Sequence, residues 1–246
     1  MPYSIQLYTV RAALEEDLAG TIRRLAGIGF TMVEPYHFVA NAAALKQAMA
    51  ENNLTAPSGH APLLSADQDA IFAAAQQLGI GTVIEPCVPN ERWNTIEDIK
   101  ETAAQLNAAA AKAAGYGIRV GYHNHWWEIE SMIDGKTALE HLADHLDAGL
   151  VLELDTYWAA VGGQNPAELL ARLGDRVKFI HIKDGPVTAD PSSQVAVGDG
   201  GMPVWDVLEA AGSLEVGVIE LDDFKGDMFE AVTDSYNYLS AGKAPA

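Results

Sequence analysis

The chain has 246 residues, 49% hydrophobic and 20% charged, an ordinary globular composition with enough length to bury a sizeable core. With 15 basic against 34 acidic residues the formal charge is −19, which repels phosphate backbones and anionic lipid and excludes nucleic acid and membrane surfaces as expected partners. A single cysteine, Cys87, rules out an intrachain disulfide and predicts a reducing, cytoplasmic setting. The segment MPYSIQLYTV lacks the pattern of a signal peptide, and no run of about 18 apolar residues is present.

In chain order, short apolar runs alternate with longer Ala/Leu-rich stretches. The runs at Ser4–Thr9, Met32–Pro35, Ala56–His60, Thr82–Pro86, Ile118–Asn124, Leu150–Asp155, Val177–Ile182 and Val216–Leu221 read as strands. Between them, Leu14–Gly27, Ala42–Glu51, Asp67–Leu78, Ile96–Ala114, Thr137–Leu146, Pro166–Leu173, Trp205–Ala211 and Asp227–Leu239 carry apolar residues at helical spacing. Glycines follow several helices, and Asn165-Pro166 suits a helix start. Eight strand–helix units predict one α/β domain over residues 1–246, a (β/α)8 TIM barrel. A doubly wound open sheet is the rival but usually has fewer strands. The final Ala-Gly-Lys-Ala-Pro-Ala reads as a frayed tail.

In such a barrel the chemistry lies at the C-terminal strand ends. Here those ends read EPYH, SGH, EP, YHNHWWE, ELDTYW, HIKDG and ELDD, and hold five of the seven histidines. His141 and His145 lie one turn apart on a helix, where a solvated face outweighs a metal pair because no third ligand is near. Carboxylates and imidazoles converging from strands five to eight predict one divalent ion, manganese first, with cobalt, zinc or magnesium as alternatives. Trp126, Trp127, Tyr157 and Trp158 flank the mouth and either stack on a sugar ring or pack loops. Glu34 is expected to touch substrate and Glu85 to be structural. The VGDGGMPVW segment could cradle a phosphate through its amides or form an ordinary loop; it has no basic neighbour.

The segments YHNHWWE, LELDTYW, FIHIKDG and IELDD, in this order and spacing, resemble the sugar phosphate isomerase/epimerase superfamily of xylose-isomerase-like barrels, over about Tyr3 to Leu239. The resemblance implies a Glu, Asp, His, Glu metal set, matched directly by Asp155, His181 and Glu220. It also places His60 and Lys183 at substrate-contacting positions. Strand five departs from the simplest pattern. Its YHNH segment followed by Glu is similar to inosose dehydratases and C-glycoside-cleaving lyases, which implies Glu128 as the fourth ligand and His125 as the acid-base group, with His123 as a fallback for either role. A metal polarising a carbonyl and its neighbouring hydroxyl stabilises the enediolate left when the α-carbon loses a proton. Imidazole is suited to take that proton. The expected function is therefore a metal-dependent isomerase or epimerase of a small sugar or keto-sugar, with His125, His123 and Glu220 catalytic. The substrate contacts are expected at Glu34, His60, Trp126, Trp158 and Lys183. The alternatives are a lyase or dehydratase acting on a keto-sugar, keto-glycoside or inosose, a DNA endonuclease disfavoured by charge, and a non-catalytic sugar-binding protein. The partner is a small sugar, and the sequence leaves a homo-oligomer open.

Overall fold

The computed structural model describes residues 1–212 and 214–243. The last three residues of the expected frayed tail lie outside them. Eight parallel strands follow one another around a barrel: β1 (Tyr3–Gln6), β2 (Val33–Glu34), β3 (Ser58–His60), β4 (Thr82–Glu85), β5 (Arg119–His123), β6 (Val151–Asp155), β7 (Val177–Ile182) and β8 (Val216–Ile219). β8 pairs with β1. The seam between β2 and β3 is held by the isolated bridges Met32↔Thr55 and Tyr36↔His60. This is the expected TIM barrel.

The surrounding helices are α1 (Arg11–Glu16), α2 (Leu18–Ile28), α3 (Ala42–Glu51), α4 (Gln68–Leu78), α5 (Ile96–Ala114), α6 (Trp127–Glu130), α7 (Ala138–His145), α8 (Thr156–Val161), α9 (Pro166–Leu173), α10 (Val204–Ala210) and α11 (Met228–Ala241). The first expected helix is two. Asp17 leaves the helical region, and its carboxylate accepts from Gly20 N at 2.9 Å to cap α2. A two-stranded antiparallel hairpin, Met132–Ile133 with Lys136–Thr137, leads into α7.

The strand period of two explains how the barrel is filled. Ile84, Val151, Phe179, Val216 and Val218 form one buried apolar cluster, partnered by Met32. Two residues further along the same faces come Glu153 after Val151, His181 after Phe179, Glu220 after Val218 and Glu34 after Met32. The lower barrel is thus an apolar floor and the upper barrel a polar layer. The intervening residues Leu152, Leu154, Ile180, Ile182 and Ile219 belong to the main core that packs against the helices.

Candidate metal centre and active site

The polar layer is buried and tightly paired. His181 is its hub. Its Nδ1 lies 2.6 Å from Glu220 Oε2, and its Nε2 lies 2.9 Å from Glu34 Oε1 and 3.0 Å from Glu153 Oε2. Burial alone would favour the neutral ring, but Glu153 and Glu220 outweigh it and hold the His181 imidazole well above its usual range. His60 Nε2 lies 2.6 Å from Glu153 Oε2, and its ring stacks on that of His181. His123, at the end of β5, faces the same group. Its Nδ1 is 3.2 Å from Glu153 Oε2 and its Nε2 is 3.9 Å from Asp155 Oδ2. Burial and the neighbouring His181 push the His123 imidazole down to about 3, so it is a neutral donor.

Two overlapping sets bring ligand atoms within 4.8 Å of one another: His123, Asp155, His181 and Glu220, and His60, His123, Glu153 and His181. The first contains three of the four expected ligands. Glu128 is not among them. It sits on the other face of β5, where Tyr122 OH donates to Oε1 at 2.5 Å and the backbone N–H of His125 donates to Oε2 at 2.9 Å. Burial pushes its carboxyl up to about 8. Glu128 therefore braces the turn after β5, and His123 stands where a strand-five ligand was expected from Glu128.

Glu34 also differs from expectation. Its side chain is fully buried, with Oε1 shared by Gln6 Nε2 at 2.7 Å and His181, and Oε2 taken by Ser58 Oγ. It supports His181 from below and has no face left for substrate. Glu85 accepts from the amides of Leu64 and Cys87, in line with a structural role. His141 bonds the Ile133 carbonyl at 2.8 Å, which ties α7 to the hairpin.

Lys183 and the loops after β7 and β8 form the opposite wall. The buried ammonium lies 2.6 Å from Asp222 Oδ2, 2.8 Å from Glu220 Oε2 and 2.9 Å from Asp155 Oδ2. Burial would depress it, but these carboxylates hold it well above its usual range. Lys183 is thus an internal counter-ion between the expected ligands. Gln194 reaches from the β7 loop to Asp222, donating to Oδ2 at 2.8 Å and accepting from its backbone N–H at 2.8 Å. The Gly-rich loop folds around Asp184, whose carboxylate accepts from Gly185, Gly198, Gly200 and Met202 N–H groups at 2.8 to 3.2 Å. A Cβ on Gly200 would stand 2.1 Å from Asp184 Oδ1, which explains the glycine. These amides serve an internal carboxylate, so the phosphate-cradle reading of this loop is not met.

A cavity of ≈ 270 Å³ opens above the polar layer, near the lower end of the about 300–1,000 Å³ typical of ligand pockets. His60, His123, His125, Glu220 and Asp222 line its inner side, and Tyr8, Tyr36, His37, Pro86 and Cys87 its outer side. Trp126 and Trp158 do not line it. Their rings pack on each other at 4.9 Å, and Trp158 covers Lys183. Tyr8 and Tyr36, in edge-to-face contact at 5.3 Å, are the aromatic residues that reach the cavity. His125 is fixed by parallel stacking on Trp127 at 4.4 Å. Its Nδ1 is sealed without a hydrogen-bond partner, which leaves Nε2 as the nitrogen open to the cavity.

The cluster fits a divalent ion on its own chemistry. Two imidazoles and two carboxylates suit a borderline cation. The buried atom Glu153 Oε1 has neither a hydrogen-bond nor an ion-pair partner, a costly arrangement for a closed core and a natural one within a ligand set.

The model of the xylose isomerase-like TIM barrel family matches residues 22–226. The chain belongs to that family. Among curated relatives, inosose dehydratase of Geobacillus kaustophilus is 34% identical over 96 residues, 39% of this chain and 28% of the relative. The match thus spans under a third of that relative's length. A sugar phosphate isomerase/epimerase from Parabacteroides distasonis superposes with a TM-score of 0.81 at 23% identity, covering 98% of this chain and 94% of the other. The IolI protein, solved with a bound zinc atom, superposes with a TM-score of 0.76 at 15% identity, over 98% and 97% of the two chains. At these identities the structural likenesses carry the fold. Among the described residues, no helix is long and apolar enough to cross a membrane.

Proposed function

We propose that the chain is a metal-dependent enzyme that removes a proton next to the carbonyl of a small sugar or keto-sugar and returns it as an isomerase or epimerase. The observation that carries this reading is the juxtaposition of a four-donor cluster, His123, Asp155, His181 and Glu220, with a cavity into which His125 Nε2 opens. A divalent ion held by these four side chains would draw electron density from a carbonyl and its neighbouring hydroxyl and acidify the C–H between them.

The chain's own groups supply the rest. Burial, His123 and Lys183 keep the His125 ring well below its usual range, hence neutral with a free lone pair at Nε2, and a weak base until negative charge on a bound substrate offsets that cost. Stacking on Trp127 fixes the ring plane, and Glu128 holds the His125 backbone, so the acceptor atom is preorganised. Against burial, Lys183 holds the Glu220 carboxyl well below its usual range; it also pairs with Asp155, whose carboxyl burial still pushes up to about 6. His60 lines the inner wall, which supports a contact with a sugar oxygen.

A second reading, elimination of water from a keto-sugar or inosose, draws on the inosose dehydratase relatives. It shares the first step and differs in where the electron pair goes. The test is incubation of manganese-loaded protein with keto-sugars and inososes in D₂O, followed by NMR. Deuterium at the α-carbon of substrate or product is expected; a new unsaturated product would favour elimination. Neither exchange nor turnover, together with sugar binding, would favour the non-catalytic reading.

A further inference from the structure

On the reading just given, we propose that the pocket selects a neutral, hydroxyl-rich substrate over its phosphate ester, and that Asp222 Oδ1 is the acceptor for one substrate hydroxyl, with Gln194 the residue that positions it.

The groups that would hold a phosphate are committed elsewhere. Among the described residues, no lysine or arginine lines the cavity. Lys183 lies directly behind it but is fully buried and faces Asp155, Glu220 and Asp222 within 2.9 Å. Arg11, at the start of α1, lies over the Tyr8 ring at 4.1 Å and donates to the Tyr8 carbonyl. The glycine-loop amides converge on Asp184. Of the two carboxylates that line the cavity, Glu220 belongs to the metal set and Asp222 is the one left to face a ligand. A phosphate dianion beside Asp222 would meet like charge, whereas a sugar hydroxyl would find a charged acceptor.

Asp222 is built for that role. Both its side-chain contacts, from Lys183 at 2.6 Å and Gln194 at 2.8 Å, fall on Oδ2. Oδ1 is the atom left for a ligand. Gln194 is almost fully buried and grips both the carboxylate and the backbone N–H of Asp222. The carboxylate's direction is therefore set by the β7 loop and not by substrate. An acceptor held this way loses little conformational freedom on binding.

The test is isothermal titration of manganese-loaded protein with two matched pairs, D-fructose with D-fructose 6-phosphate and D-xylulose with D-xylulose 5-phosphate, and with scyllo-inosose as a cyclic neutral ligand. At least one neutral compound should bind, with any matched ester about tenfold weaker or more. Asp222→Asn should weaken the neutral ligand about tenfold and narrow the ester-to-neutral ratio several-fold, at unchanged metal content. Gln194→Leu should weaken the neutral ligand in the same direction and keeps the test valid should Asp222→Asn fail to fold. Esters binding as tightly as their parents, no neutral ligand binding, or an unaltered ratio in Asp222→Asn would each overturn the proposal. The readout is binding, so failure here leaves proton abstraction standing, and failed exchange in D₂O leaves this proposal standing.

Discussion

Tyr122 and His123 are consecutive on β5 and face opposite ways: Tyr122 OH binds Glu128 at 2.5 Å behind the strand, while His123 Nδ1 lies 3.2 Å from Glu153 inside the barrel. The alternation of strand side chains decides which residue joins the metal cluster. Glu128→Gln should accordingly retain near-stoichiometric divalent metal, whereas Asp155→Asn and His123→Ala should each lower metal affinity at least tenfold with the fold intact. Metal analysis after reconstitution and dialysis checks this. Loss of metal in Glu128→Gln alone would return Glu128 to the ligand set.

Glu128 also gives the fold a pH signature. Its carboxyl titrates at about 8 in the folded chain and near ~4.3 when unfolded. The folded state therefore holds the extra proton between these values. Stability from this group is fully present below the unfolded value and is lost as pH rises toward 8, with a slope of about 1.4 kcal/mol per pH unit. Metal-free Glu128→Gln should show a flatter fall in Tm between pH 5 and 8 than wild type. Parallel curves would show that Glu128 is ionised throughout.

His125→Ala should abolish both turnover and α-carbon exchange while metal content stays near wild type. The ring touches the cavity through Nε2 and contributes to neither ligand set. Single-turnover exchange in D₂O beside metal analysis decides the point. Normal exchange would reduce His125 to a substrate contact, and lost metal would make it a ligand.

Asp184→Ala should destabilise the chain by about 1–3 kcal/mol, since four backbone N–H groups lose their acceptor. Denaturant unfolding reads the loss, and limited proteolysis should show new cleavage within residues 185–202. Unchanged stability and cleavage would mean that the loop is ordered without this carboxylate.

The barrel was legible because its strands carry a period of two and its helices a period near four, and helices such as Ile96–Ala114 and Pro166–Leu173 begin and end where the pattern does. Asp17 hid a helix break, since a lone aspartate in an apolar-periodic stretch looks like a surface position. Asp155, His181 and Glu220 were readable as strand-end ligands. Glu153 could have been found by stepping back two residues from Asp155 on the same strand face. Glu128 could not be placed by counting, because the strand period ends at His123 and Glu128 lies on the short helix α6. Gln194 reaches the site from the loop after β7, and Tyr8 reaches its wall from the 3-10 turn Leu7–Val10 after β1, both placed by the closed barrel. For the tryptophans the sequence leaves sugar stacking and loop packing both open, and packing makes them the wall behind His125 and Lys183.

The function turns on where the metal binds. Crystals of the protein soaked in manganese, with data collected for anomalous scattering, test it directly. One anomalous peak per chain is expected within coordinating distance of His123, Asp155, His181 and Glu220, with Glu128 still bonded to Tyr122. No peak at this cluster at saturating manganese, or a peak ligated by Glu128 in place of His123, would contradict the account.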